Sequence, residues 1–276
     1  MDTKEFLSGG EMTEWIRVNQ QEPCHICHKP DWCTVAGDGS AACCMRVEST
    51  RQMHNGGWLH KLSDPAPRYI SRTRAPAALV DFREILRNWQ KKTSQDEIDT
   101  YAASLGVSVM ALEDLGAAWA WPHSAWAWPM RSGAGEIVGI RLRSDSGKWA
   151  VTGSHQGVFA PTAWPDMPHE ALICEGPTDT AAGLSMGFQA IGRPSCLGCE
   201  QVLIETCKRL GVDHIIIVAD NDGPGKAGAQ KLAALLKMPW KIIVPPGKDL
   251  RKWVQTGATK ELLECVINQQ LWKGVW

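Results

Sequence analysis

Two unbroken apolar runs stand out in the second half of the chain. Ala171-Leu-Ile-Cys174 is closed by Glu175, and Ile215-Ile-Ile-Val-Ala219 is closed by Asp220. Each is followed by a Gly-Pro turn and an Ala-rich stretch. A short continuous apolar run followed by a helix signal reads as a strand buried on both faces within a βαβ unit. Residues 240–244 predict a further strand, and residues 250–270 one or two closing helices. The first half is patterned differently. Between residues 76 and 92, Leu79, Phe82, Ile85, Leu86 and Trp89 fall on one stripe of an amphipathic helix. Ser94 and Glu97 have capping-box spacing, and residues 98–105 and 108–115 predict two helices around Gly106. Alternating segments at 126–130, 136–143, 148–152 and 157–160 predict strands, with turns at 132–135 and 144–147. Residues 1–20 predict a short helix whose apolar cluster is Trp15, Ile16 and Val18.

Ligands of parallel sheets bind beyond the carboxyl ends of the strands. Glu175, Asp220 and Asp222 all fall there, so they are expected to share one crevice. Carboxylates brought together repel one another unless a cation joins them. All-oxygen ligands select a hard ion, Mg²⁺ or Mn²⁺, which also binds phosphates.

Cysteines add a second candidate centre. Cys24-x-x-Cys27 aims two thiolates at one point, and Cys33, Cys43 and Cys44 follow around a Gly- and Asp-rich hairpin at 36–40. Tetrahedral Zn²⁺ needs four such ligands from two loops. Cys24, Cys27, Cys33 and Cys44 are the first choice for one structural zinc; Cys43, His25, His28 and His60 are open substitutes. So short a region has little core, and metal binding would supply its folding energy.

Composition changes the picture in three ways. At 276 residues and 44% apolar, the chain supports two or three packed domains and is not globally disordered. The start, MDTKEFLSGGEM, has no apolar core of a signal peptide and no run of eighteen apolar residues occurs, so a cytoplasmic protein with no membrane span and with reduced thiols is expected. The formal net charge is −1, so nucleic-acid contact must come from local patches. Residues 46–92 hold ten Lys/Arg against four Asp/Glu, interleaved with Trp58, Tyr69 and Trp89. That suits a single-strand groove or, equally, a solvated face with the linker Asp64-Pro-Ala-Pro67. Arg141 and Arg143 alternate with Ile140 and Leu142 and so share a sheet face, where Arg131 and Lys148 can join them in a cationic patch. The hairpin of helices at 93–129 carries five acids and no Lys or Arg, so it is read as structural and not as a duplex-reading helix-turn-helix.

Glu175-Gly-Pro-Thr-Asp179 followed by Asp220-Asn-Asp222-Gly-x-Gly225-Lys226 resembles the TOPRIM domain shared by bacterial and phage primases, topoisomerases and some nucleases. The resemblance spans residues 170–260 and places the family's glutamate on Glu175 and its DxD pair on Asp220 and Asp222. It implies further acids at Asp179 and at Asp249, in Pro-Gly-Lys-Asp249-Leu. The cysteine region is similar to the zinc ribbon preceding TOPRIM in primases, although its spacing differs from theirs. The segment Pro-Met-Arg131 to Arg143 is similar to the subdomain just before TOPRIM, where basic residues hold the nucleotide and the primer–template backbone.

The resulting expectation is an α/β protein. A zinc-binding ribbon covers 1–62, a linker and α+β primase subdomain 63–165, and a parallel-sheet TOPRIM catalytic domain 166–276. Glu175, Asp220 and Asp222 are the expected catalytic residues and, with Asp179 and Asp249, the magnesium ligands. Arg131, Arg141, Arg143, Lys148, Lys226, Lys248 and Trp58 are expected to meet nucleotide or nucleic acid. The resemblance implies a DNA primase of a phage, plasmid or integrated element. Such an enzyme joins ribonucleoside triphosphates on a single-stranded DNA template, with a replicative helicase acting in trans. A TOPRIM nuclease and a non-catalytic template-binding replisome module are the alternatives. Cys196-Leu-Gly-Cys199 has metal or redox spacing, but it falls where TOPRIM proteins have a small-residue loop, and it is read as structural.

Overall fold

The computed structural model describes residues 15–53, 56–62, 80–164, 169–196 and 198–274. They belong to two units, Met1–Ala78 and Leu79–Trp276. Residues 1–14 and 63–79 lie outside the described residues, and with them the expected linker Asp64-Pro-Ala-Pro67, the side chains Arg68, Tyr69, Arg72 and Arg74, and Leu79 of the expected 76–92 helix.

In the first unit, β1 (Trp15–Arg17), β2 (Thr34–Ala36), β3 (Ala41–Cys44) and β4 (Trp58–Lys61) form an antiparallel sheet in chain order. The turn between β2 and β3 is the expected hairpin, closed by Asp38 Oδ1 accepting from the Ser40 amide at 3.0 Å and hydroxyl at 2.7 Å. Residues 15–17 are a strand and not the helix expected for 1–20. Ile16 pairs with Val35, and the Val18 amide donates to the Cys33 carbonyl, so the cysteine-bearing segment supplies the partner that extends the chain here. Local patterning over a few residues has no access to such a partner.

The second unit opens with α1 (Phe82–Lys92), α2 (Gln95–Leu105) and α3 (Val109–Asp114). The Ser94–Glu97 capping box forms as expected, and Gly106 ends α2 in the left-handed region. Strands β5 (Ala118–Ala120), β6 (Ala125–Arg131), β7 (Ile137–Ser144) and β8 (Gly147–Ala150) make an antiparallel meander. Alternation explains its layers. Ala118, Ala120, Ala125 and Ala127 face α1, where Phe82, Leu86 and Trp89 fill the space that small side chains leave. Trp126, Trp128 and Met130 face α2 and α3, packing on Ile98, Ala102, Leu105 and Leu112.

The third sheet is parallel. It contains β9 (Glu170–Glu175), β10 (Ala190–Arg193), β11 (His214–Val218) and β12 (Trp240–Ile243), in the order β10-β9-β11-β12. Helices α4 (Pro177–Ser185), α5 (Glu200–Leu210) and α6 (Gly223–Leu235) connect the strands, and α7 (Leu250–Gln255) and α8 (Lys260–Asn268) follow. Ile173, Ile191, Ile215 and Ile217 form the core on one face with Leu203 and Leu232; Leu172, Ile216 and Leu263 form it on the other.

Residues 157–160 do not make a strand of their own. Val158 exchanges both backbone hydrogen bonds with Arg131 of β6, and Phe159 does so with Gly192 of β10. The segment therefore splices the antiparallel sheet to the parallel one. Gly157 allows this approach: a Cβ there would lie 2.5 Å from the Arg131 carbonyl oxygen.

Candidate metal centres and the acidic crevice

Successive strands leave β9 in opposite directions, toward β10 on one side and β11 on the other. The gap between β9 and β11 is thus a topological switch point, where helices diverge and a crevice opens at the carboxyl ends. Glu175 ends β9, and Asp220 and Asp222 follow β11. The Asn221 amide donates to the Lys248 carbonyl at 2.8 Å, which draws the loop after β12, and with it Asp249, to the same place.

These acids act on one another electrostatically. Asp220 is pushed up to about 7, first by burial and then by Asp179, Glu175, Asp249 and Asp222. Asp179 is also pushed up to about 7, by burial and then by Asp249. Glu175 is raised by burial, against the pull of Lys148 and Arg193. Three of the acids also hold backbone. Asp222 accepts from the Gly225 amide at 2.7 Å and caps α6; Asp249 accepts from Lys252 at 2.7 Å and caps α7; Asp179 accepts from Arg251 at 2.9 Å. The helix-cap role open to any acid before a helix is therefore realised here, alongside convergence on the crevice. The donor set is all oxygen and short of counter-charge, which fits a divalent hard cation, although the acids are not drawn into one tight chelate among the described residues.

The cysteines are. Sγ atoms of Cys24, Cys27, Cys33 and Cys44 all lie within 4.8 Å of one another, and the cluster contains none of Cys43, His25, His28 or His60. The Cys27–Cys33 and Cys33–Cys44 sulfurs are 3.7 and 3.9 Å apart. A tetrahedron with Zn–S bonds of about 2.3 Å has edges of about 3.8 Å. Burial pushes the Cys33 thiol up to about 12. Amides of Met45, Arg46 and Val47 donate to Cys33 or Cys44 sulfur at 3.3–3.4 Å. The Arg46 guanidinium, paired with Asp31 at 2.7 Å, approaches the Cys27 and Cys33 sulfurs at 3.9 Å. Such donors spread the charge of thiolates and orient them toward a metal. Cys43 alternates to the other side of β3, and His60 Nε2 lies 3.0 Å from the Val47 carbonyl.

A cross-strand row runs over the meander: Trp119 opposite Trp126, Trp126 opposite Arg143, Arg143 opposite Lys148. Trp126 also stacks on Tyr101, with centroids 4.0 Å apart. Arg143 Nη1 donates to Thr178 Oγ1 at 3.0 Å, and Lys148 acts on Glu175, so the cationic end of the row reaches the crevice. Arg141 is half-buried beside Cys199. Arg131 does not present a free head: it donates to the Ala160 and Gly135 carbonyls and to Thr162 Oγ1. Lys226 and Lys248 are exposed, on the first turn of α6 and next to Asp249 respectively. Trp58 lies on β4 of the first unit, in register with Cys44. Sequence reasoning passed over Arg193. Its only signal was a lone cation ending the apolar segment Ala190-Ile-Gly-Arg193, and only strand pairing places it beside Glu175.

Against solved structures the arrangement has clear relatives. The zinc-binding and RNA polymerase domains of the Aquifex aeolicus primase match with a TM-score of 0.56 at 13% identity, over 69% of this chain and 60% of that one. A DnaG primase catalytic domain bound to single-stranded DNA matches with a TM-score of 0.52 at 15% identity, over 69% of this chain and 77% of that one. This is a primase-type fold. A bacteriophage T7 primase domain matches with a TM-score of 0.50 at 19% identity, over 63% of this chain and 91% of that one. No family model matches the sequence, and no curated protein matches it. At these identities the likeness to primases is one of fold. Among the described residues, no helix is long and apolar enough to cross a membrane.

Proposed function

We propose that the chain is a metal-dependent DNA primase of the TOPRIM type with an N-terminal zinc ribbon. What supports this is a primase-type fold in which Glu175 ends β9, Asp220 and Asp222 follow β11, and Asp220 is raised by both of the others. Glu175, Asp220 and Asp222, with Asp179 and Asp249 behind them, would hold Mg²⁺ or Mn²⁺, which supplies charge neutralisation for the attacking and leaving oxygens in nucleotidyl transfer. In the reaction the 3′-hydroxyl of one ribonucleotide attacks the α-phosphorus of the next, and pyrophosphate leaves. Glu175 is half-buried and held by the Cys196 amide, and its raised pKa suits it to take the hydroxyl proton. Arg143 and Lys148 bind the template or nucleotide phosphates, and the tryptophans continuing their row stack with bases. The cysteine cluster holds one structural zinc, whose ribbon contacts the template. A replicative helicase acts in trans, in a mobile-element setting.

The test is primer synthesis on a random single-stranded DNA library with Mg²⁺ and labelled ribonucleotides. The expected result is short RNA products lost with Asp222→Ala. Full activity of that variant removes the metal-ligand role, and breakdown of the template without nucleotides assigns hydrolysis by the same acids instead.

A further inference from the structure

Arg193 pairs with Glu175 across β9 and β10. It is 4% exposed, yet its Nε and Nη1 have no acceptor among the described residues. Buried guanidinium N–H groups without acceptors lose their hydration with nothing in exchange. A fold tolerates that where a ligand supplies the acceptors. Its charge acts on Glu200, Glu175, Cys196 and Cys199, so it sits under the loop that leads from β10 into α5.

That loop ends in a helix start of unusual character. Cys199, the N-cap of the eleven-residue α5, is in the left-handed region at φ 66° and provides no side-chain cap. The first amides of α5 therefore lack the side-chain acceptor that most helix starts carry, and they add the positive end of the helix dipole. Arg141 of β7 is half-buried and adds its charge near Cys199. The opposing charge is Glu200, whose Oε1 accepts from the Gly198 amide at 2.8 Å. Gly176, the N-cap of α4, likewise offers no side-chain cap and bonds through its amide to the Arg193 carbonyl at 2.7 Å.

We propose that Arg193, with the open N-terminus of α5, forms an oxyanion subsite on the Glu175 side of the crevice that takes a phosphate of the incoming nucleoside triphosphate. That a phosphate group binds here stands on the burial of Arg193 and the uncapped start of α5; that it belongs to the nucleotide rests on the primase reading. The subsite places anion recognition on a strand end and helix of the parallel sheet, in addition to the exposed cations Lys148, Lys226 and Lys248.

The experiment uses the zinc-loaded full chain without added divalent ion and titrates inorganic tripolyphosphate, read by calorimetry and by the shift in Tm. The wild type is expected to bind and to gain Tm by mass action. Arg193→Met is expected to weaken binding by about tenfold or more, because charge-assisted hydrogen bonds are lost. Its Tm without ligand stays level or rises, since two buried N–H groups without acceptors have been removed. Arg193→Lys recovers part of the affinity. The subsite is overturned if the wild type does not bind, or if Arg193→Met binds as tightly. It is also overturned if Arg193→Met lowers Tm while keeping the tripolyphosphate shift, which marks a structural ion pair. In the primer assay, Arg193→Met is expected to raise the nucleotide KM; an unchanged KM overturns the assignment of the phosphate to the nucleotide. A wild type that makes no primers but binds tripolyphosphate through Arg193 keeps the subsite and removes the primase reading.

Discussion

Asp220 is an acid where negative charge is disfavoured. Burial and four neighbouring carboxylates raise its pKa to about 7, and Asp179 is raised as far. An acid whose folded pKa lies above its unfolded value of about 4 binds more protons when folded. Its contribution therefore favours the fold below about pH 4 and is lost as pH rises toward 7. Without divalent ions, the Tm contribution of these two acids should fall across that window, and Asp220→Asn should flatten the fall while abolishing primer synthesis. Mg²⁺ at pH 7.5 should raise the wild-type Tm and leave Asp220→Asn almost unchanged. Thermal scans from pH 4 to 8 check this, and an Asp220→Asn protein that is no more stable at neutral pH counts against a crowded acidic crevice. At the same scale the cysteines divide. Cys33→Ser should lower bound zinc well below one per chain, whereas Cys43→Ser should leave it at one, as read by metal analysis.

Elements are governed by what they can approach. The splice at residues 157–160 joins two sheets by four backbone hydrogen bonds, and Gly157 permits it because its Cα packs on the Arg131 backbone. Gly157→Ala should destabilise by about 1–3 kcal/mol, the usual cost of overpacking where backbone cannot move. Gly223→Ala is the control. A Cβ there meets nothing within 4 Å, and at the start of α6 alanine should be neutral or stabilising by up to about 1 kcal/mol. Urea denaturation of both variants separates close approach from general intolerance of larger residues. Helices α1 and α2 were legible in sequence, because stripe and capping box are local. The strand at 15–17 was not, because its partner lies about twenty residues away across the cysteine loops. The bridge at 157–160 looked like a strand for the same reason: an extended apolar segment does not say which backbone it will pair with.

The whole molecule divides its stabilisation between its two units. The first has a small core, Val18, Val35 and Ala42 packed around the buried cysteines. The second has continuous cores on both faces of its parallel sheet. Removing zinc with a chelator should unfold the first unit, because binding energy there is folding energy. The second unit should keep its cooperative transition. Circular dichroism with limited proteolysis reads this, and loss of both units together would show that the parallel-sheet unit depends on the ribbon.

Strand and helix periods, the two cysteine loops and the acids closing each apolar run were all local facts. From them the sequence alone specifies a small four-cysteine region followed by βα units with carboxylates at their tips. The cysteine cluster was readable because four thiols within about twenty residues leave few ways to close a tetrahedron. Tertiary structure alone decided the order β10-β9-β11-β12, and hence which strand ends share the switch point. It also decided that Asp222 and Asp249 cap helices, that the guanidinium of Arg131 donates to two carbonyls and a hydroxyl, and that Arg193 is buried beside Glu175. Those outcomes depend on neighbours distant in sequence, and a side chain's charge, burial and partners are properties of that assembled neighbourhood.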